Sequence, residues 1–157
     1  MREPVMAFIL AAIILLAGCL GDGETDVFYG DDIGPPIPVQ DFILIDEGGE
    51  YVSLSQYEGK VVVVAFLFTR CPDICPVVSA NLAFIVDRLG ERHGTEVQIL
   101  SITVDPWTDN SSVMHDYAST RGLGWPHLTG ELDDLEPVWM NFDVGLTTYD
   151  SDVDGDG

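Results

Sequence analysis

Hydrophobic positions follow two different periods along this chain, and the switches between them mark out its elements. The run Val61-Val62-Val63-Val64-Ala65-Phe66-Leu67-Phe68 is continuously apolar and largely β-branched. It predicts a strand buried on both faces, in the middle of a sheet covered by helices. After Pro76 the period changes. Val77, Val78, Leu82, Ile85, Val86 and Leu89 recur at three- and four-residue steps, which predicts an amphipathic helix over 76–89 with Pro76 in its first turn. Gly90 and Gly94 mark its end, and residues 96–104 form the next strand. Strand, helix, strand with short links is a βαβ unit, so at least one strand pair is parallel.

The flanking segments complete an α/β domain. Phe42-Ile43-Leu44-Ile45 and Tyr51-Val52-Ser53-Leu54 bracket a turn containing Gly48 and Gly49, which predicts an N-terminal hairpin. Residues 55–60 read as a short turn or helical piece. Asp105-Pro106 breaks the second long strand, and a helix over 111–121 follows, capped by Asp109 or Asn110. Residues 125–130 form a short extended segment, 132–142 a helix with Pro137 near its start, and 144–149 an extended end. No internal repeat occurs. At 157 residues the chain suits one domain.

The amino terminus has export-signal anatomy. Arg2 is a minimal positive region, and the apolar run from Val5 to Leu16 is shorter than the ~20 residues of a spanning helix. Leu16-Ala17-Gly18-Cys19 resembles a prokaryotic lipobox, which implies cleavage before Cys19 and lipid attachment to that thiol. The competing reading is an uncleaved anchor with an inert Cys19. Either way the domain is tethered to a membrane outside the cytoplasm. The expected organisation is a signal peptide over 1–18, a Gly-, Asp- and Pro-rich tether over 19–37, a domain over 38–149 and an acidic loop over 150–157. The expected location is the outer face of the cytoplasmic membrane.

Charge narrows the partners. Twenty-seven acidic residues against six Lys and Arg give a net charge of -21. That disfavours nucleic acid and anionic lipid surfaces, which need clustered Lys and Arg. The acidity reads as a solvated surface with a soft attraction for cations.

Candidate chemistry lies where the first long strand ends, at Cys71-Pro72-Asp73-Ile74-Cys75-Pro76. With Cys19 consumed by lipid, Cys71 and Cys75 are the one remaining pair in an oxidising compartment. Residues four apart at a helix start can bring their sulfurs together, so a disulfide is reachable. The helix amino end and the neighbouring Arg70 favour thiolate, which is both nucleophile and metal-ligand form. Two soft sulfurs suit Cu(I) or part of a zinc site. A purely structural disulfide closes so small a ring that its entropic gain is slight, which argues for a functional dithiol.

The segment Phe66-Leu67-Phe68-Thr69-Arg70-Cys71-Pro72-Asp73-Ile74-Cys75-Pro76 closely resembles the copper-site segment of the SCO/SenC family. Ser101-Ile102-Thr103-Val104-Asp105-Pro106-Trp107-Thr108-Asp109 and Trp125-Pro126-His127-Leu128-Thr129-Gly130 are similar to its second and third blocks. The resemblance spans residues 38–149 and implies a thioredoxin-like fold, with a central mixed sheet flanked by helices. It implies a membrane-tethered copper chaperone serving the cytochrome c oxidase subunit that carries the binuclear copper centre. Cys71 and Cys75 would then be copper ligands and a redox pair kept reduced by a thiol-disulfide reductant. The family's third ligand, a histidine in a Val-Asp-His context, has no counterpart here, and the chain reads as a fragment that stops short of it.

Other histidines are weaker candidates. His93 sits in a polar loop and is expected to be solvated, His115 lies on the wet face of a helix, and His127 reads as a packed strand residue. Asp150-x-Asp152-x-Asp154-Gly155 matches the opening of an EF-hand calcium loop, though it reads more simply as a solvated tail. The rival functions are an extracytoplasmic thiol-disulfide oxidoreductase, with Cys71 attacking and Cys75 resolving, and a calcium-binding lipoprotein with an inert disulfide.

Overall fold

A computed structural model describes residues 34–145. Cys19, the export signal and the Asp150–Asp154 motif lie outside the described residues. The chain divides into two compact units, residues 1–37 and 38–157, and the second holds every strand and helix of the described residues. Among the described residues no helix is long and apolar enough to cross a membrane.

The element order is β1 (Ile43–Ile45), β2 (Tyr51–Ser53), β3 (Val61–Leu67), α1 (Ile74–Leu89), β4 (Val97–Thr103), α2 (Ser111–Arg121), β5 (His127–Leu128) and α3 (Leu132–Asn141). A single 3-10 turn, Leu54–Tyr57, links the hairpin to β3. Strands β1 and β2 pair antiparallel around the glycine turn, where Gly49 takes a φ of 85°. Strands β3, β4 and β5 form a parallel sheet in that order, with Val61 opposite Val97, Leu67 opposite Thr103, and Ser101 opposite His127. An antiparallel bridge between Ile45 and Thr129 ties the hairpin to the end of β5, so the whole is mixed in direction.

Side chains alternate along the strands and sort the core into two layers. On one face Leu67, Ile99 and the half-buried Val63 and Ala65 pack with Cys71, Cys75 and Leu82 of the dithiol turn and α1, and with Met114, Tyr117 and Ala118 of α2. On the other face Leu100, Ile102 and Leu128 pack with Leu44 and Val52 of the hairpin and Leu135, Val138 and Trp139 of α3. Helices on one side, a helix and hairpin on the other, enclose the sheet.

The most buried strand is β4, and this corrects the expectation for the valine run. Every β4 residue after Val97 is buried. By contrast β3 is an edge strand among the described residues and is mostly half-buried. Its Val62 and Val64 line an open groove of about 390 Å³ together with Tyr57, Lys60 and Phe142. The polar residues of β4 are tolerated because each finds a partner. Gln98 donates to the Ile99 carbonyl (2.9 Å), Ser101 accepts from Trp125 Nε1 (2.9 Å), and Thr103 donates to Asp109 (2.7 Å).

Two helix expectations also shift, and the choice of cap for a third helix is resolved. Helix α1 starts at Ile74, so Pro76 is its third residue, where a missing N–H costs nothing. Its buried stripe is Cys75, Ser79 and Leu82, while Val77 and Ile85 face outward. The cap of α2 is Asn110, which accepts from the Val113 amide at 3.1 Å, and Asp109 is occupied elsewhere. Pro137 lies inside α3 on its exposed side rather than near the start.

Candidate dithiol metal centre

The dithiol sits at the carboxyl end of the parallel sheet, where β3 gives out and α1 begins. Leu67 and Thr103 end their strands side by side, so the loop carrying the cysteines lies next to the loop after β4. Two contacts join them. Arg70 pairs with Asp105 at 3.2 Å, and Thr69 donates both its amide and its hydroxyl to Asp109.

Both thiols are free and close together. The Cys75 amide donates to Cys71 Sγ at 3.3 Å, and the Cys71 amide donates to the Phe68 carbonyl at 3.3 Å. Cys71 and Cys75 are 8% and 5% exposed, so a ligand would approach through a narrow opening. Ile74 between them stands out into solvent.

The two sulfurs are electrostatically unequal. Burial opposes ionisation of Cys71, but hydrogen bonds from the Cys75 thiol and the Asp73, Cys75 and Ile74 amides outweigh it. They hold the Cys71 thiol below its ordinary value. These amides are the unpaired donors of a helix start. Burial pushes the Cys75 thiol up, and the hydrogen bond it gives Cys71 pushes the same way. Arg70, expected to favour thiolate, turns its guanidinium to Asp105 instead and has no part in the lowering of Cys71.

None of the histidines joins this pair. His127 is fully buried on β5, stacked on Trp125 with ring centroids 5.5 Å apart. Its Nδ1 lies 2.7 Å from the Trp125 carbonyl, and since a carbonyl only accepts, Nδ1 carries the proton. Its Nε2 is buried with no partner, neither sulfur being in reach. Burial lowers its pKa below the ordinary imidazole value. His115 is exposed, as its helical position suggests. His93, expected in solvent, is half-buried with its Nε2 shielded. Among the described residues no group of three His, Cys, Asp or Glu side chains could hold a metal.

From the sequence Asp109 reads as a helix-entry or capping residue, with a supporting role beside the cysteines left open. Asp109 is fully buried and receives three donors, Thr69 N, Thr69 Oγ and Thr103 Oγ. An Asp-Asn pair before a helix reads as a cap, and no local signal distinguishes a carboxylate that faces a loop 40 residues away.

A reduced dithiol at a strand-to-helix turn, on a sheet sandwiched between helices, defines a thioredoxin-like dithiol protein. The comparisons carry this to a family. The model for SCO1/SenC matches residues 31–157. The mitochondrial protein SCO1 homolog 1 of Arabidopsis thaliana is 32% identical over 114 residues, covering 72% of this chain and 34% of the relative. Apo Sco1 from Thermus thermophilus superposes with a TM-score of 0.66 at 34% identity, covering 77% of this chain and 69% of that one. Yeast Sco1 with copper bound gives 0.64 at 31% identity, covering 71% and 70%. The chain belongs to the SCO1/SenC family, and its fold is thioredoxin-like. It spans between 34% and 55% of the length of the first curated relatives it matches.

Proposed function

We propose that this protein is a copper chaperone that holds Cu(I) between Cys71 and Cys75 and passes it to the binuclear copper centre of cytochrome c oxidase. The observation that carries the reading is the adjacent, unequal thiol pair at a helix start. One sulfur is stabilised as thiolate by three amides, and both lie in an apolar setting that suits a soft monovalent ion. A yeast relative of like fold is known with copper bound, which supports the same cargo here. Two thiolates hold Cu(I) in linear coordination, and Pro72 and Pro76 keep the loop stiff around them. Residues 1–18 would direct export, lipid on Cys19 would tether the domain, and residues 19–37 would give it reach at the outer face of the cytoplasmic membrane. A thiol-disulfide reductant would keep the pair reduced between deliveries.

Anaerobic titration of the reduced full chain with Cu(I), against a chromophoric chelator, tests the reading. One equivalent should bind tightly, and Cys71→Ser and Cys75→Ser should each abolish that tight phase. No uptake by the reduced protein, with Cys71→Ser indistinguishable from it, would refute the copper role. Metabolic lipid labelling that persists in Cys19→Ser would refute the tether.

The inequality of the thiols also favours a second reading, a thiol-disulfide oxidoreductase. Cys71 thiolate would attack a disulfide, forming a mixed disulfide and releasing one thiolate. Cys75, once deprotonated, would attack Cys71 sulfur, releasing the second thiolate and leaving the Cys71–Cys75 disulfide. Rapid reduction of a test disulfide without measurable Cu(I) affinity would favour this reading.

A further inference from the structure

We propose that Asp109 is the positioning residue of the dithiol. Its buried carboxylate fixes Thr69, and through Thr69 the neighbouring Phe68 carbonyl that holds the Cys71 amide. The geometry is directional. Thr69 is the second residue before Cys71, and its amide meets Asp109 Oδ2 at 3.0 Å while its hydroxyl meets Oδ1. The adjacent Phe68 accepts from the Cys71 amide through its carbonyl at 3.3 Å, and Cys71 Sγ accepts from the Cys75 amide at 3.3 Å. One clamp on Thr69 therefore sets the start of the chain of contacts that links the two cysteines.

The other end of the clamp is rigid. Asp109 Oδ2 also accepts from Thr103 Oγ at 2.7 Å, at the end of the most buried strand. Thr103 Oγ in turn accepts from the Asp105 amide at 2.9 Å, and the Asp109 amide donates to the Asp105 carbonyl at 2.9 Å. The Asp109 carbonyl accepts from the Thr129 hydroxyl at the end of β5. Asp109 thus bolts the dithiol loop to the ends of two strands.

The choice of residue fits three donors. A carboxylate is acceptor-only and takes all three as donors, whereas asparagine would turn the Thr69 hydroxyl from donor to acceptor and replace charge-assisted hydrogen bonds by weaker neutral ones. The clamp is not an ion pair. The nearest loop cation, Arg70, is committed to Asp105. Satisfying a fully buried carboxylate with neutral donors alone is costly, and the site that benefits is the dithiol loop.

The metal-affinity part rests on the copper reading; the thiol-selectivity part does not. The test therefore begins with the metal-free reduced chain. The rates of alkylation of Cys71 and Cys75 are read separately by mass spectrometry, and Cu(I) affinity is measured afterwards. In wild type Cys71 should react faster. Asp109→Asn should cut that ratio several-fold and weaken Cu(I) binding by about 10- to 100-fold, the usual scale for groups that orient ligands. Thr69→Val retains the Asp109 charge and the Thr69 amide, and removes only the hydroxyl tie. It should move both readouts in the same direction, and the double variant should be no worse than Asp109→Asn alone. Leu135→Ala, in the core layer on the opposite face of the sheet, should lower stability and leave the alkylation ratio intact. An unchanged ratio in Asp109→Asn would overturn the proposal. So would a Leu135→Ala effect equal to that of Thr69→Val, which would mark general loosening. A response to Asp109→Asn without one to Thr69→Val would assign the effect to charge instead of position. Absence of Cu(I) uptake by wild type would remove the copper reading, while the alkylation ratios would still decide the role of Asp109.

Discussion

The hydroxyls of Ser79 and Tyr117, 2.9 Å apart, tie the helix that carries Cys75 to α2, and a double-mutant cycle should expose their coupling. Ser79 lies one turn beyond Cys75 and is 1% exposed, so neither hydroxyl can turn to water when its partner goes. Tyr117→Phe keeps the ring, and with it the stacking of the Arg121 guanidinium 4.0 Å from the ring centroid. The stranded Ser79 hydroxyl can fall back on the carbonyl one turn earlier, so this change should cost about 1 kcal/mol. Ser79→Ala strands a phenol with no such fallback, a loss of about 1–3 kcal/mol. Better helix propensity returns about 0.5 kcal/mol of it. The double variant leaves no orphan and should lose only the net value of one hydrogen bond, about 0.5–1.5 kcal/mol, less the same propensity gain of about 0.5 kcal/mol. The two single losses should therefore exceed the double loss by about 0.5 kcal/mol or more, a coupling of the usual size for contacting side chains. Urea unfolding of the reduced full chain reads the free energies directly. At this length each kcal/mol should also move Tm by about 2–4 °C. Additivity of the two changes, or a double variant worse than the sum, would refute the pairing of these hydroxyls.

The same packing makes three further outcomes measurable. Iodoacetamide at neutral pH should label Cys71 before Cys75, because hydrogen bonds from the Cys75 thiol and the nearby amides hold the first thiol below its ordinary value while burial raises the second; equal or reversed labelling contradicts that. His127 is neutral in the fold and regains an ordinary pKa of 6.5 on unfolding. The unfolded chain therefore takes up a proton that the fold refuses, and stability falls as pH drops through 6.5 and is flat above it. His127→Asn should flatten the fall in urea midpoint between about pH 7.5 and about pH 5.5, and an unchanged slope would assign the acid sensitivity elsewhere. Leu100→Ala, at a fully buried site on β4, should cost about 2–5 kcal/mol, whereas the same change at the exposed Ile74 should cost less than about 1 kcal/mol. Equal losses would contradict the burial assigned to these two sites.

The βαβ unit was legible from spacing, because burying one face requires a fixed repeat. The hairpin and helix α2 were legible from their boundaries, the glycine turn in one case and the Asp-Pro break with its cap in the other. What spacing does not encode is which strand has neighbours. Val61 to Phe68 is more apolar than β4, yet β4 is the buried strand. Its Gln98, Ser101 and Thr103 look half-exposed in sequence and become core residues only through partners on other elements. The start of α1 was hidden for a related reason. Pro76 suggests a beginning, but a proline at the third helical position has no hydrogen bond to lose, so the helix reaches back to Ile74 and takes Cys75 into its first turn.

That shift of two residues changes the chemistry of the site. Were the helix to begin at Pro76, both cysteines would lie in the preceding loop and share its environment. Beginning at Ile74, it places Cys71 beyond the amino end, facing the Asp73, Ile74 and Cys75 amides, and sets Cys75 inside the turn among Leu67, Leu82 and Trp125. The thiols are thereby given different tasks, by burial, by the hydrogen bond between them and by the amides of the helix start. Cys71 is the sulfur whose charge the fold already supports, so on the copper reading it can meet an incoming ion as thiolate. Cys75 loses its proton only when the ion supplies the opposing charge, and regains it when the ion departs. A pair built this way binds with release of protons and lets go with their uptake. Cargo affinity should therefore weaken on acidification, a property of a carrier more than of a permanent disulfide staple.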